Sequence, residues 1–354
     1  MSTATKPLLQ RLIDSSSPSG FESAVQKVVR EELGQYADEV STDIHGNVIA
    51  ALNPAGRPRV MLTAHCDEIG FIIRYIDEQG FLSFAPIGGF DTTTLPGSRV
   101  VLLTPAGPIL GVIGCQPVHL TDADERGRAP KYYDLWIDIG AASREEAARL
   151  VPLGTPATRA ARLEALRGDL VVSRALDNKA GLCSIIEAMQ RIHNRRDGLK
   201  AAVYCVSAVQ EEVGTRGAHT SAYTVHPDIA ITVDVTFASD NPQTSRQRLG
   251  DVKLGGGPAI TLGGFVNGRI AQRLLSIAQE SSIAFQYDIQ GGYTGTDNDE
   301  IQVVHGGVAT GLLNIPSRYM HSESEIVSLA DIDATAELMA RLVLSLKEDT
   351  NGLR

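Results

Sequence analysis

Five times along this sequence an acid or an imidazole stands at or near the end of an apolar, strand-length run. The segments are His65-Cys66-Asp67-Glu68, Ala175-Leu176-Asp177-Asn178, Gln210-Glu211-Glu212-Val213-Gly214, Val233-Asp234-Val235-Thr236 and Tyr319-Met320-His321-Ser322. Buried strands that finish on polar residues are the usual site architecture of an α/β sheet covered on both faces, where ligands are met beyond the strand ends. Taken singly, each segment is ordinary: a His after a strand is usually a satisfied polar residue, and Asp-Asn is usually a turn or helix cap. The set is what constrains the chain, because two histidines and several carboxylates are then expected at one edge of one sheet.

Apolar spacing predicts helices over 5–15 and 21–35, then strands at Glu39–Thr42 and Asn47–Leu52 around an Asp-Ile-His-Gly turn, and a strand from Arg59 that stops at His65. From about residue 70 to 165 the texture changes. Short β-rich runs (Phe71–Ile76, Arg99–Leu103, Ile109–Ile113) are separated by Gly and Pro, and helical periodicity returns only at Ser143–Leu150. A small β-barrel inserted into the α/β chain accounts for this. The α/β pattern then resumes, with helices near Ala180–His193 and Gly268–Ser281, strands at Ala201–Ala208, Ile229–Asp234 and Val308–Ile315, and a closing helix from Leu329 to about Lys347. The expected division is a discontinuous α/β domain (1–69 and 166–354) with an insert (70–165). A chain of 354 residues is too long for one ordinary core and suits this split.

Composition narrows the partners. With 43% hydrophobic and 21% charged residues the chain reads as a folded globule. No apolar stretch approaches the roughly 20 residues of a membrane span, and the N-terminus lacks a signal-peptide pattern, so a cytoplasmic location is expected. A net charge of −10 without a basic stripe argues against nucleic acid. Cys66, Cys115, Cys183 and Cys205 form no CxxC pair and read as free thiols, mostly buried. Gly255–Gly257 and Gly263-Gly264 lack the Lys-Ser/Thr of a phosphate loop and read as turns.

Imidazole and carboxylate donors suit zinc, cobalt or manganese, and one carboxylate can bridge two such ions. A water between two ions loses proton affinity, and a carboxylate that binds no metal is then needed to move its proton. Adjacent residues in extended chain point to opposite sides, so Glu211 and Glu212 can divide these tasks. Asp67, two residues after His65, can orient that imidazole through its second nitrogen.

These residues resemble the tetrahedral (TET-like) aminopeptidase family, which includes glutamyl and deblocking aminopeptidases of the co-catalytic metallopeptidase clan. The matching segments are Leu62–Gly70, Arg174–Gly181, Val209–Ala218, Gly295-Thr296-Asp297 and Ile315–Ser322, with weaker matches at Gly111–Gly114, His119-Leu120 and Asp134–Ala141. The resemblance runs from about Leu8 to Leu346. It implies a mixed-sheet α/β catalytic domain of the phosphorylase/hydrolase-like kind with an inserted PDZ-like β-barrel for dimerisation, and dimers that build a hollow dodecamer. It implies two divalent ions per subunit: Asp177 bridging, His65 and Asp234 completing one site, Glu212 and His321 the other. Glu211 is then the general base acting on a metal-bridging water, and Asp67 the support of His65. Thr296 and Asp297 read as contacts to the metal ligands or to the substrate amine, or else as a plain turn, and Arg318, beside a metal-type motif, as a substrate contact or else a simple ion pair. Cys66 stands where the family more often has Met, and Asn298-Asp299-Glu300 follow Asp297 where small residues are usual.

The expected activity is removal of N-terminal residues from peptides. A metal-dependent deacylase or carboxypeptidase on the same scaffold is the alternative. A glycosidase fits less well, since it wants two carboxylates roughly 5–10 Å apart and no metal. The acidic tract Asp297–Glu300 hints at basic N-terminal residues in the substrate.

Overall fold

The computed structural model describes residues 5–120 and 127–347. Its centre is an eight-stranded mixed sheet. In chain order the contributing strands are β1 (Glu39–Thr42), β2 (Val48–Leu52), β3 (Arg59–His65), β12 (Ala202–Ala208), β13 (Ile229–Phe237), β14 (Ala259–Gly263), β15 (Gln286–Gln290) and β16 (Ala309–Ser317), arranged β1-β2-β12-β3-β13-β16-β14-β15. The inner four, β12, β3, β13 and β16, run parallel. They are apolar along most of their length because both faces are covered: Leu62 and Ile231 belong to the larger core, Met61 and Ala230 to a second one beneath the opposite face. Each fully buried Leu or Ile contributes roughly 1.5–3 kcal/mol.

Helices α1 (Thr5–Asp14), α2 (Ser23–Leu33), α4 (Leu176–Asn194), α7 (Gly268–Glu280) and α9 (Leu329–Ser345) supply the larger core. Helices α5 (Arg216–Val225) and α8 (Asp297–Ile301) cover the other face. A seven-residue helix, α3 (Arg144–Leu150), lies within the insert, and a single turn, α6 (Arg246–Leu249), precedes β14. The strand periodicity is clearest where burial is two-sided, and those strands match the sequence expectation closely. Strands β14 and β15 and helices α5 and α8 carried no such signal. The Gly255–Gly257 segment is a turn, as its composition suggests: Gly255 and Gly257 have positive φ, and their N–H groups donate to the Asp331 carboxylate at 2.8 and 2.7 Å.

Between β3 and the resumption of the α/β chain, six strands close into a separate barrel. These are β4 (Gly70–Ile76), β5 (Leu82–Ile87), β6 (Arg99–Thr104), β7 (Gly107–Gly114), β8 (Trp136–Asp138) and β9 (Pro156–Arg159), in the order β4-β5-β8-β7-β6-β9. The barrel has its own core of Phe71, Ile73, Leu82, Phe84, Leu102, Ile113 and Ile137. Its strands end at Arg159. The next strand, β10 (Glu164–Ala165), still inside the expected insert, pairs instead with β11 (Leu170–Ser173), which in turn pairs with β17 (Glu325–Ser328). All four cysteines are free, three of them buried. Among the described residues no helix is long and apolar enough to cross a membrane.

Candidate metal centre and active site

Because β3, β12, β13 and β16 are parallel, their C-terminal ends share one edge, and the five sequence segments meet there. His65 is the last residue of β3, in register with Ala208, the last of β12. Glu211 and Glu212 lie in the turn that follows β12, Asp234 near the end of β13, and His321 in the loop after β16. Asp177 enters from the first turn of α4, where its own φ/ψ and those of Asn178 are not helical. Asn178 anchors this entry: its Nδ2 donates to the Val233 carbonyl at 2.8 Å and its Oδ1 accepts from Gly181 N at 3.0 Å. A Cβ on Gly181 would lie 2.2 Å from that Oδ1, so the close approach requires glycine.

Asp177 is the centre of the cluster. Its Oδ1 is 3.2 Å from His65 Nε2 and its Oδ2 is 3.2 Å from His321 Nε2. Asp234 Oδ1 lies 3.8 Å from His65 Nε2, Glu212 Oε2 3.6 Å from His321 Nε2, and Glu211 Oε2 3.9 Å from His65 Nε2. Ligand atoms of His65, Asp177 and Asp234 all lie within 4.8 Å of one another, as do those of Asp177, Glu212 and His321, and those of His65, Glu211 and Glu212.

The electrostatics show what the cluster lacks. Burial opposes ionisation of Asp177, but hydrogen bonds with His321 and His65 override it and hold its carboxyl well below the ordinary range. Burial pushes Asp234 up to about 7, with the Asp177 charge adding to the rise. It pushes Glu211 and Glu212 well above the usual carboxylate range, with Asp234 repelling the first and Asp177 the second. The ion pairs that these four acids make in the cluster are all with histidine. Four carboxylates packed with two imidazoles would carry excess negative charge if all ionised, which adds to burial in pushing three of the carboxyls up, and the oxygen and nitrogen donors of the cluster are those that divalent cations take. The residues therefore fit a metal centre.

The tautomer of His65 follows from its partner. Nδ1 is 3.1 Å from the Asp67 carbonyl oxygen, which can only accept, so Nδ1 carries the proton and Nε2 faces the carboxylates. The Asp67 carboxylate, expected to support His65, is 3.5 Å from the same nitrogen and is mainly engaged elsewhere. It accepts from Ser19 Oγ at 2.6 Å and from the backbone N–H groups of Glu211 and Glu212 at 3.0 and 3.1 Å, so it aims the glutamate pair as well as the imidazole.

Of the residues expected on the substrate side, Asp297 is brought to the cluster: it is 1% exposed, both its carboxylate oxygens lack a hydrogen-bond partner among the described residues, and Asp234 repels its charge. Thr296 is the N-cap of α8, its Oγ1 accepting from Asn298 N at 3.2 Å. Arg318 is not free for substrate. Its guanidinium is paired with Asp240, Nε to Oδ1 at 2.9 Å and Nη2 to Oδ2 at 2.7 Å. The acidic tract is not an open negative patch either. Asp299 accepts from Thr294 N and Gly295 N, and Glu300 faces His219 at 3.4 Å.

Two supporting groups escaped the sequence reading. Glu325, on β17, accepts from Asp177 N and His321 N at 2.9 Å each, holding two cluster residues by their backbones. Glu68, in the loop after β3, accepts from Arg174 Nη1 at 2.6 Å and Lys179 Nζ at 2.8 Å, behind the cluster. Glu325 lies in Ser-Glu-Ser-Glu, which has the composition of a solvated loop, so nothing local marks it. Glu68 and Arg174 do lie inside the family-like segments.

The mixed sheet, the inserted barrel and the buried His-and-carboxylate cluster define an α/β metallohydrolase. The chain belongs to the M42 glutamyl aminopeptidase family, whose sequence profile matches residues 46–338. It is 34% identical over 343 residues to the lysyl aminopeptidase of Pyrococcus furiosus, covering 96% of this chain and 97% of that one. Its fold matches the crystal structure of a TET aminopeptidase from a marine sediment archaeon of the Thaumarchaeota with a TM-score of 0.94 and 32% identity, over 99% and 98% of the two chains. It also matches the TET1 peptidase of Pyrococcus horikoshii, which can assemble into a tetrahedron or a large octahedral shell, with a TM-score of 0.85 and 31% identity over 97% and 100%.

Proposed function

We propose that this protein removes residues from the free N-termini of peptides, with two divalent ions held about Asp177. The observation that carries the reading is the position of that carboxylate, with one oxygen toward His65 and the other toward His321. His65, Asp177 and Asp234 would hold one ion; Asp177, Glu212 and His321 would hold the other. Zinc, cobalt or manganese suit these donors, and such ions, when bound, polarise the scissile carbonyl and make water a nucleophile near neutral pH.

The remaining work falls to the protein's own groups. Glu211 takes a proton from the attacking water as its oxygen adds to the carbonyl carbon, and delivers it to the amine nitrogen as the C–N bond breaks. Glu211 Oε2 lies 3.9 Å from His65 Nε2, beside the residues that would hold the ions, where it can reach a water set between them. Asp67 keeps Glu211 and Glu212 aimed by their backbones. Asp297, buried with both oxygens unpartnered among the described residues, receives the substrate ammonium. The barrel is the dimerisation element, consistent with Leu110 and Val112 exposed on β7, and larger homo-oligomers build from that dimer.

Hydrolysis of aminoacyl-anilides and free-amine peptides, by chelated protein and then by protein restored with zinc, cobalt or manganese, tests this. Activity should vanish with chelation, return with metal and be confined to free-amine substrates. Equal cleavage of N-blocked substrates would mark a deacylase, and turnover indifferent to chelation would exclude the two-ion reading.

A further inference from the structure

We propose that Arg159 is a positioning residue through which the inserted barrel holds His321 in the metal centre, and so governs the ion on that side. The inference rests on the two-ion reading above. Arg159 closes β9 and is 4% exposed. Its Nη1 donates to the His321 carbonyl at 3.1 Å, its Nη2 donates to Thr94 Oγ1 at 2.9 Å, and the guanidinium lies 5.0 Å from the centre of the Phe90 ring. Thr94 and Phe90 belong to the segment between β5 and β6, so a single side chain joins two parts of the barrel to the backbone of one cluster residue. Glu323, Glu325 and Asp91 compensate its charge at longer range.

His321 needs such holding. It and Tyr319 have φ of 62° and 60°, a region that side-chain-bearing residues rarely occupy, and the strand pairing nearest to them in this loop is the bridge of Arg318 to Ile326, three residues before His321. The polar handles of His321 are taken one by one. Glu325 accepts from its N–H at 2.9 Å, Arg159 donates to its carbonyl, and Gly89 stands against its ring on the Nδ1 side. The last two come from the barrel. With Gly89 on the Nδ1 side, Nε2 is the nitrogen that faces Asp177 and would face a cation. Only a planar fork can reach the His321 carbonyl and Thr94 at once, so lysine should not replace Arg159 fully.

The test is ion binding to the full-length protein, measured by equilibrium dialysis with elemental analysis over a range of free Zn²⁺ or Co²⁺. In Arg159→Met one ion should weaken by about 10- to 100-fold, the scale for losing an orienting partner of a metal ligand, while the other keeps its affinity. kcat should recover to within about twofold at saturating metal. Arg159→Lys should fall between parent and Arg159→Met, and Thr94→Val should shift the same ion less. Phe84→Leu, in the barrel core, should lower the melting temperature without moving either affinity. Equal weakening of both ions, or no change in either across Arg159→Met and Thr94→Val, would overturn the assignment. A parent that binds fewer than two ions would overturn the two-ion reading itself, and that is read before any variant.

Discussion

His65 and His321 both meet Asp177 at 3.2 Å, yet one is set by a sheet and the other by a seam between domains. His65 ends β3 in register with β12, its side chain is 2% exposed, and its orienting acceptor lies two residues along its own chain. Asp234 sits inside β13, in register with Asn314 on β16. Strand pairing therefore fixes the backbone of both residues before any side chain contributes. The His321 side chain is 38% exposed, its backbone is left-handed, and the hydrogen bonds that hold that backbone come from Glu325 and Arg159. A ligand on a paired strand inherits its position from the ladder, whereas a ligand on a loop needs buried polar groups spent on it. The sheet half should tolerate displacement of the barrel; the seam half should not.

Glu211 offers the largest effect and the sharpest way to redraw that division. Its Oε2 lies 3.9 Å from His65 Nε2, and ligand atoms of His65, Glu211 and Glu212 share a 4.8 Å neighbourhood, so an ion held there would make it a further ligand of the sheet half. With Glu211 as proton shuttle instead, Glu211→Gln should lower kcat by about 10²–10⁴-fold and leave two ions per chain by elemental analysis. An ion lost from this variant would move Glu211 among the ligands and leave the base unassigned.

The same contrast explains what was readable in the sequence. His65, Asp177, Glu212, Asp234 and His321 stand out because each closes or follows an apolar run, and parallel strands of similar length must end together. Strands β3, β12, β13 and β16 were legible because burial on both faces leaves little room for polar residues. The barrel was legible as a change of texture. Strand β15, Gln-Tyr-Asp-Ile-Gln, was not: it is a sheet edge whose pairing with β14 is set by the fold, and half its side chains meet solvent. Glu325 and Arg159 were hidden for a related reason. They act on residues 148 and 162 positions away, through contacts that exist only once the barrel and β17 have docked. Arg318 stayed open in the sequence between a substrate contact and an ion pair because its partner, Asp240, is 78 residues away, and the structure shows the pair.

Behind the sheet half lies a smaller lever. Glu68, Arg174 and Lys179 are 2%, 6% and 0% exposed and tie the loop after β3 to the start of α4, with Lys179 Nζ also donating to the Ser15 carbonyl at 2.9 Å. Removing one member of a buried ion cluster leaves the others unpaired, which costs about 3–5 kcal/mol. Glu68→Gln should therefore lose that much in urea unfolding, with the ion governed by Arg159 keeping its affinity once the protein is folded. A loss below about 1 kcal/mol would show that strand pairing alone holds the sheet half.

The acid limb of the same measurement gives the smallest effect and isolates the Glu68 charge from its shape. Burial works to raise this carboxyl, but attraction to Arg174 and Lys179 overrides it and holds the folded-state pKa below the ordinary value of 4.5. A carboxyl with a depressed folded pKa binds fewer protons folded than unfolded. Its stabilising contribution is thus complete above 4.5 and disappears as the pH falls through the folded value. Chelated protein should be used, so that ion release adds nothing; the cluster carboxylates then titrate alike in parent and variant and cancel in the difference. The stability gap between parent and Glu68→Gln should be constant from neutral pH down to the ordinary glutamate range and close below it, because a protonated Glu68 and a glutamine present nearly the same neutral group to Arg174 and Lys179. Parallel curves through that limb would mean that the clamp acts by packing and hydrogen bonding rather than by charge.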